Sequence, residues 1–191
     1  MNYRPEDIFT PQGILEEVEH SPNLDFLMNV FNISRAFGVS GFGGGWNVGQ
    51  HSFAAALIAL FWSKFKEYPD DKRDRLVTMA LVHDLHESVT GDILPMFKSD
   101  GVRELLEGIQ HNIVAALGVK EDKLLLVDLK VVDLIAFLYE IRQVSPSILQ
   151  TNKLALANTI ADRQRQVLFA YCAEQQIPRI EVQKFLTQME I

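Results

Sequence analysis

Residues 83 to 92 read HDLHESVTGD, and this string holds the densest set of chemically useful side chains in the chain. His83 and Asp84 are neighbours. On a helix their side chains stand about 100° apart, close enough to converge on one ion. A nitrogen donor beside a carboxylate suits Zn, Mn, Fe, Co or Ni better than Ca. Two ligands do not hold a catalytic metal, so others are needed. His51 opens a helical stretch just beyond a glycine-rich break. Asp133 sits in LKVVDLIAFL, where an unpaired carboxylate would be costly and where metal ligation would explain the charge. Each residue also has an ordinary account. A lone histidine is more often a surface or satisfied core residue than a ligand, and Asp133 could pair with Lys130, one turn earlier. His86 would lie about 160° around the helix from Asp84, poorly placed to share an ion with it. His20 and His111 have no recognisable context and read as surface residues.

The elements that must position these residues read as a series of amphipathic helices. Leu24, Leu27, Met28 and Phe31 fall at i, i+3, i+4 and i+7, the spacing of one apolar helix face. The break GVSGFGGGWNVG covers 38–49. A helix is predicted over 51–66, ending at the Tyr68-Pro69-Asp70 turn, and another over 72–87, stopped by Thr90-Gly91. Pro95 opens an irregular link. Further helices are predicted over 102–117, closed by Gly118, and over 122–143. After Ser145-Pro146 come a long helix over 148–173 and a short one beyond Pro178. Alternating apolar patterns are nearly absent, and the LLLV run at 124–127 lies in helical context. The expected fold class is all-α, a single domain over 1–191 with a motif-bearing core at about 25–170 and a C-terminal helical extension at 171–191.

Composition bounds the partners. The 191 residues are 48% apolar, with 12 Phe, enough for a substantial core. No stretch approaches the ~20 apolar residues that cross a bilayer, and the N-terminus MNYRPEDIF lacks the apolar core of a signal peptide. A single cysteine, Cys172, precludes an internal disulfide and suits a reducing compartment. These features point to a cytoplasmic protein without a membrane partner. Net charge is −7 and no basic stripe occurs, which argues against binding long nucleic acid. An acidic protein that binds a small phosphate ester needs a local positive centre, and a divalent cation can supply it.

The residues together carry a resemblance. NVGQHS at 47–52, ALVHDLHESVTGDILPMFK at 80–98 and VDLKVVDLIAFLYE at 127–140 resemble the 5′-deoxynucleotidase branch of the HD-domain metal-dependent phosphohydrolase superfamily, with its H…HD…D pattern. Gln50 departs from it, standing where relatives usually carry Glu. The resemblance implies a single HD-domain helical bundle and one divalent metal ion (Co, Mn, Zn, Ni or Fe, with Mg possible). Its ligands would be His51, His83, Asp84 and Asp133. It also implies Glu87 and Asp92 as the general acid/base pair and Arg35 as a phosphate-binding residue. Lys98 is a weaker phosphate donor on its position alone. Trp46 could stack on a base or sugar beside the glycine loop, or equally plug the core.

The implied reaction is hydrolysis of a deoxynucleoside 5′-monophosphate to nucleoside and phosphate. Compact phage dATP triphosphohydrolases are similar too, so release of tripolyphosphate from a deoxynucleoside triphosphate is the alternative. Few cations near the ligands in sequence (Arg35, Lys98, Arg103, Lys130) tilt toward the monophosphate. A catalytically silent nucleotide sensor would be marked by loss of Glu87, Asp92 or a ligand, and all are present. Relatives of this size commonly form homo-oligomers, which is the expectation here.

Overall fold

The computed structural model describes residues 22–35, 46–93, 97–144 and 151–191. Most of the glycine-rich break, including Gly43-Gly44-Gly45, lies outside these residues, as do His20, Pro95 and the Ser145-Pro146 link. The described chain is helical, as its periodicities require: α1 (Leu24–Leu27), α2 (Val48–Phe65), α3 (Asp70–Val82), α4 (Glu87–Thr90), α5 (Asp100–Ala116), α6 (Leu126–Val144), α7 (Thr151–Glu174) and α8 (Arg179–Gln188). Short 3-10 turns follow α1 (Met28–Phe31) and precede α6 (Lys123–Leu125). The only pairing of β type among the described residues is an isolated bridge between Ser34 and Asn47. None of the helices is long and apolar enough to cross a membrane.

Two differences from the sequence expectation bear on chemistry. The helix predicted over 72–87 ends at Val82, and residues 83–86 form a turn before α4. The turn is held by i→i+3 bonds, Leu85 N–H to the Val82 carbonyl at 3.2 Å and Glu87 N–H to that of Asp84 at 3.0 Å. His83 and Asp84 therefore sit just past a helix end rather than within a helix. The continuous helix expected around 24–31 is likewise split, its second half tightening into a 3-10 turn.

The chain divides into two compact units. In the first, made of the described residues up to Gln50 with Val82–Glu121, Ile109 and Ile113 of α5 pack with Phe26, Leu27, Leu85 and Val89. Asn29 Nδ2 donates to the Ser88 carbonyl at 2.7 Å, tying the 3-10 turn after α1 to α4. The start of α2 is fixed by a reciprocal cap. Gln50 N–H donates to Asn47 Oδ1 at 2.8 Å and Asn47 N–H to Gln50 Oε1 at 3.0 Å. Gly49 beside it has no room for a side chain, since a Cβ there would come within 2.7 Å of the Phe31 ring.

The second unit is His51–Leu81 with Asp122–Ile191. Its core includes Trp62, Leu76, Leu125, Ile135, Leu168 and Phe185. Each large apolar side chain buried in this way stabilises by about 1.5–3 kcal/mol relative to exposure. Trp62 meets Phe185 edge-on, with ring centroids 5.0 Å apart. A buried carboxylate, Asp128, accepts from Trp62 Nε1 at 2.9 Å and from the Tyr68 hydroxyl at 2.8 Å. Burial and Asp128 together push the Tyr68 hydroxyl well above its ordinary pKa, so it remains a donor. α6 packs on α7 and carries three acids on its way through the core: Asp128, Asp133 and Glu140.

Candidate metal centre and acid cluster

In the first unit the HD turn is positioned from below by α5. Gln110 Nε2 donates to the Val82 carbonyl at 2.6 Å, so its Oε1 accepts from His86 N–H at 3.0 Å and faces His86 Nδ1 at 3.2 Å. One amide thus closes the C-terminal end of α3 and braces the turn that presents His83 and Asp84. His86 is buried in this role, and desolvation lowers its pKa. Neither Gln110 nor the bracing use of His86 was visible in the sequence, because an amide in mid-helix carries no positional signal.

The turn brings together most of the acidic residues singled out above. His83 Nε2 lies 3.3 Å from Asp84 Oδ2. Arg35 points its guanidinium at three carboxylates, with Nη1 3.8 Å from Asp84, 3.7 Å from Glu87 and 3.4 Å from Asp92. Arg35 itself is set by a backbone bond from its N–H to the Trp46 carbonyl at 3.0 Å. Trp46 is half-buried. Glu87 is buried at the start of α4, and its Oε2 accepts no hydrogen bond. Burial and the neighbouring Asp84 and Asp92 charges push its pKa up to about 9, against the smaller opposing pull of Arg35 and Lys98.

That shift has a measurable consequence in the metal-free protein. The ordinary value is 4.5, so the folded chain holds a proton on Glu87 that the unfolded chain releases. The stability tied to that proton is fully present below pH 4.5 and is lost as pH rises through about 9. Glu87→Gln removes the dependence. Its stability relative to the parent should grow from near zero at about pH 5 to roughly 1–3 kcal/mol at about pH 8. Urea unfolding of both proteins at the two pH values checks this, and a difference that does not change with pH would overturn it.

Lys98 lines a cavity with His83, His86, Arg103, Leu106, Glu107 and Gln110. In the second unit, His51 is fully buried near the start of α2 and uses both ring nitrogens. Nε2 lies 3.2 Å from Asp133 Oδ1, and Nδ1 contacts Glu140 Oε1. Asp133 is also bonded by Lys130 Nζ at 2.7 Å, so the ordinary pairing considered from the sequence is present as well.

His51 and Asp133 belong to the second unit, His83 and Asp84 to the first. The Asp84 carboxylate is turned to His83 and Arg35. Imidazole beside carboxylate is the donor chemistry that suits a divalent ion of the Zn, Mn, Fe, Co or Ni kind.

Residues 42–117 match the family model for the HD domain. Among solved structures it is similar to the HD phosphohydrolase DatZ of cyanophage S-2L, determined with dA and one catalytic Zn2+ ion. The TM-score is 0.63 at 22% identity, covering 87% of this chain and 93% of that one. The chain therefore has the fold of an HD phosphohydrolase. No relative is found among curated proteins.

Proposed function

We propose that the protein is a metal-dependent phosphohydrolase acting on a deoxynucleoside 5′-monophosphate, which it cleaves to nucleoside and orthophosphate. The observation that carries this reading is the convergence of Asp84, Glu87 and Asp92 on Arg35 beside His83. Phosphate-ester hydrolysis needs a ligand set, a pair of proton carriers and a phosphate-binding cation, and these residues supply all three types together.

In this reading His51, His83, Asp84 and Asp133 hold one divalent ion. Such an ion, when bound, polarises the phosphoryl group and lowers the pKa of water. Arg35 exchanges carboxylate oxygens for phosphate oxygens, which its planar fork fits in a bidentate manner. Glu87 and Asp92 divide the proton work: one takes a proton as water attacks phosphorus, and the other supplies one to the departing 5′ oxygen. The P–O5′ bond breaks and the water oxygen stays with the phosphate. Trp46 stacks on the nucleoside, and Lys98 adds a second phosphate donor. A homo-oligomer belongs to the same reading, supported by the exposed Phe53, Leu57, Leu60 and Phe61 along α2.

A second reading is release of tripolyphosphate from a deoxynucleoside triphosphate. Its support is the cavity beside His83, where Arg103 joins Lys98. The deoxyadenosine in the similar phage enzyme makes adenine nucleotides the first to try.

A product-resolved assay decides between them. Metal-stripped protein is reloaded with Mn, Co, Mg or Zn and given mono- and triphosphates, deoxy and ribo. Orthophosphate from a deoxynucleoside monophosphate is the expected result. Tripolyphosphate from a triphosphate would replace the first reading by the second, and no product with any metal would overturn both.

A further inference from the structure

The ring of His51 is approached by a carboxylate on each side. Asp133 Oδ1 stands 3.2 Å from Nε2, and Glu140 Oε1 contacts Nδ1. α6 supplies both acids. They are seven residues apart, two helical turns, and so lie on one face.

A neutral imidazole carries one proton and cannot donate to both. With the proton on Nε2, the bare Nδ1 lone pair would face the fully buried Glu140 side chain with no proton to share. With the proton on Nδ1, that carboxylate receives a charge-assisted hydrogen bond and Nε2 keeps its lone pair. Asp133 tolerates this arrangement. Its side chain is partly exposed, and Lys130 Nζ bonds it at 2.7 Å. Between the two neutral forms, the buried contact with Glu140 favours Nδ1–H.

We propose that Glu140 is a positioning residue that holds His51 as the Nδ1–H tautomer and so turns the Nε2 lone pair toward the metal. The inference rests on the metal-centre reading above. Glu140 is not itself a ligand in it, since it contacts the ring nitrogen opposite to the one beside Asp133.

Two measurements test it. Long-range 1H–15N correlation on the metal-free wild-type protein reads the His51 tautomer directly. The Nδ1–H pattern is expected, and an Nε2–H pattern overturns the proposal whatever any variant does. Second, the affinity for Co2+ or Mn2+ is measured by competition with a chelating indicator for wild type, Glu140→Gln and Glu140→Leu, alongside the melting temperature of each metal-free protein. Gln keeps an acceptor oxygen and should bind within a few-fold of wild type. Leu removes it and should weaken binding about 10–100-fold in protein that remains folded. A Leu variant with a lowered melting temperature but wild-type affinity shows Glu140 to be structural only, and overturns the proposal. Wild-type protein that binds no divalent ion would instead overturn the function proposed above, a result the tautomer spectrum keeps distinct.

Discussion

Asp84→Ala is expected to remove bound metal and turnover together. In the proposed centre Asp84 contributes a charged ligand directly beside His83, with 3.3 Å between their donor atoms. Its loss takes one negative charge from the ligand set and releases Arg35 from one of its three carboxylates. Two imidazoles and Asp133 remain, a set of lower charge and lower affinity for a divalent ion. Metal content by elemental analysis and rate under saturating substrate should both fall to background. Asp84→Asn, which keeps the shape and loses the charge, separates electrostatics from packing and should fall nearly as far. A variant that retains one equivalent of metal and normal turnover would exclude Asp84 from the centre.

Glu87→Ala should behave in the opposite way toward the metal. Glu87 is not among the proposed ligands, and its buried Oε2 has no hydrogen-bond donor. Removing it should leave metal content unchanged and lower kcat by about 10²- to 10⁴-fold, the range for loss of a general acid or base. KM should move little, because the proton transfer belongs to the transition state. Full activity in this variant would end the proposed role, and a parallel loss of metal would make Glu87 a ligand.

Much of the architecture was readable from residue spacing. The helix predicted over 51–66 is present as α2, which starts three residues earlier, at Val48, within the stretch read as a glycine-rich break. Gly118 and Pro178 marked ends that occur where expected. The end of α3 was not readable. ALVHDLHESV contains no glycine or proline, and its apolar spacing continues through the turn. What ends the helix at Val82 is a contact from far along the chain, the Gln110 amide accepting from His86 and donating to Val82. For the same reason the placement of His86 could be judged only in part. Its exclusion from an ion shared with Asp84 was argued from a helix that the turn at 83–86 replaces, and its bond to Gln110 had no local signal.

Glu140 is the instructive omission. The argument applied to Asp133, that a carboxylate in an apolar helix needs a partner, applies with more force seven residues later in LIAFLYE. There the side chain is fully buried. Asp128 is a third case on the same helix, resolved by Trp62 and Tyr68 rather than by a histidine. Sequence spacing shows that such acids need partners. Which partner each finds depends on tertiary packing. Lys130 at Asp133 shows that a local and a long-range partner can coexist.

Gly49 touches none of this chemistry, yet it constrains it. The space its Cβ would need is filled by the Phe31 ring. Exchanging one hydrogen for a methyl would drive a wedge between the ring and the first turn of α2, two residues ahead of His51. The ring is half exposed and can swing outward, so the fold would survive. The helix that carries His51 would then start from a shifted footing. Position 49 thus acts on His51 through the footing of its helix, and a residue with no side chain sets part of the latitude of the centre.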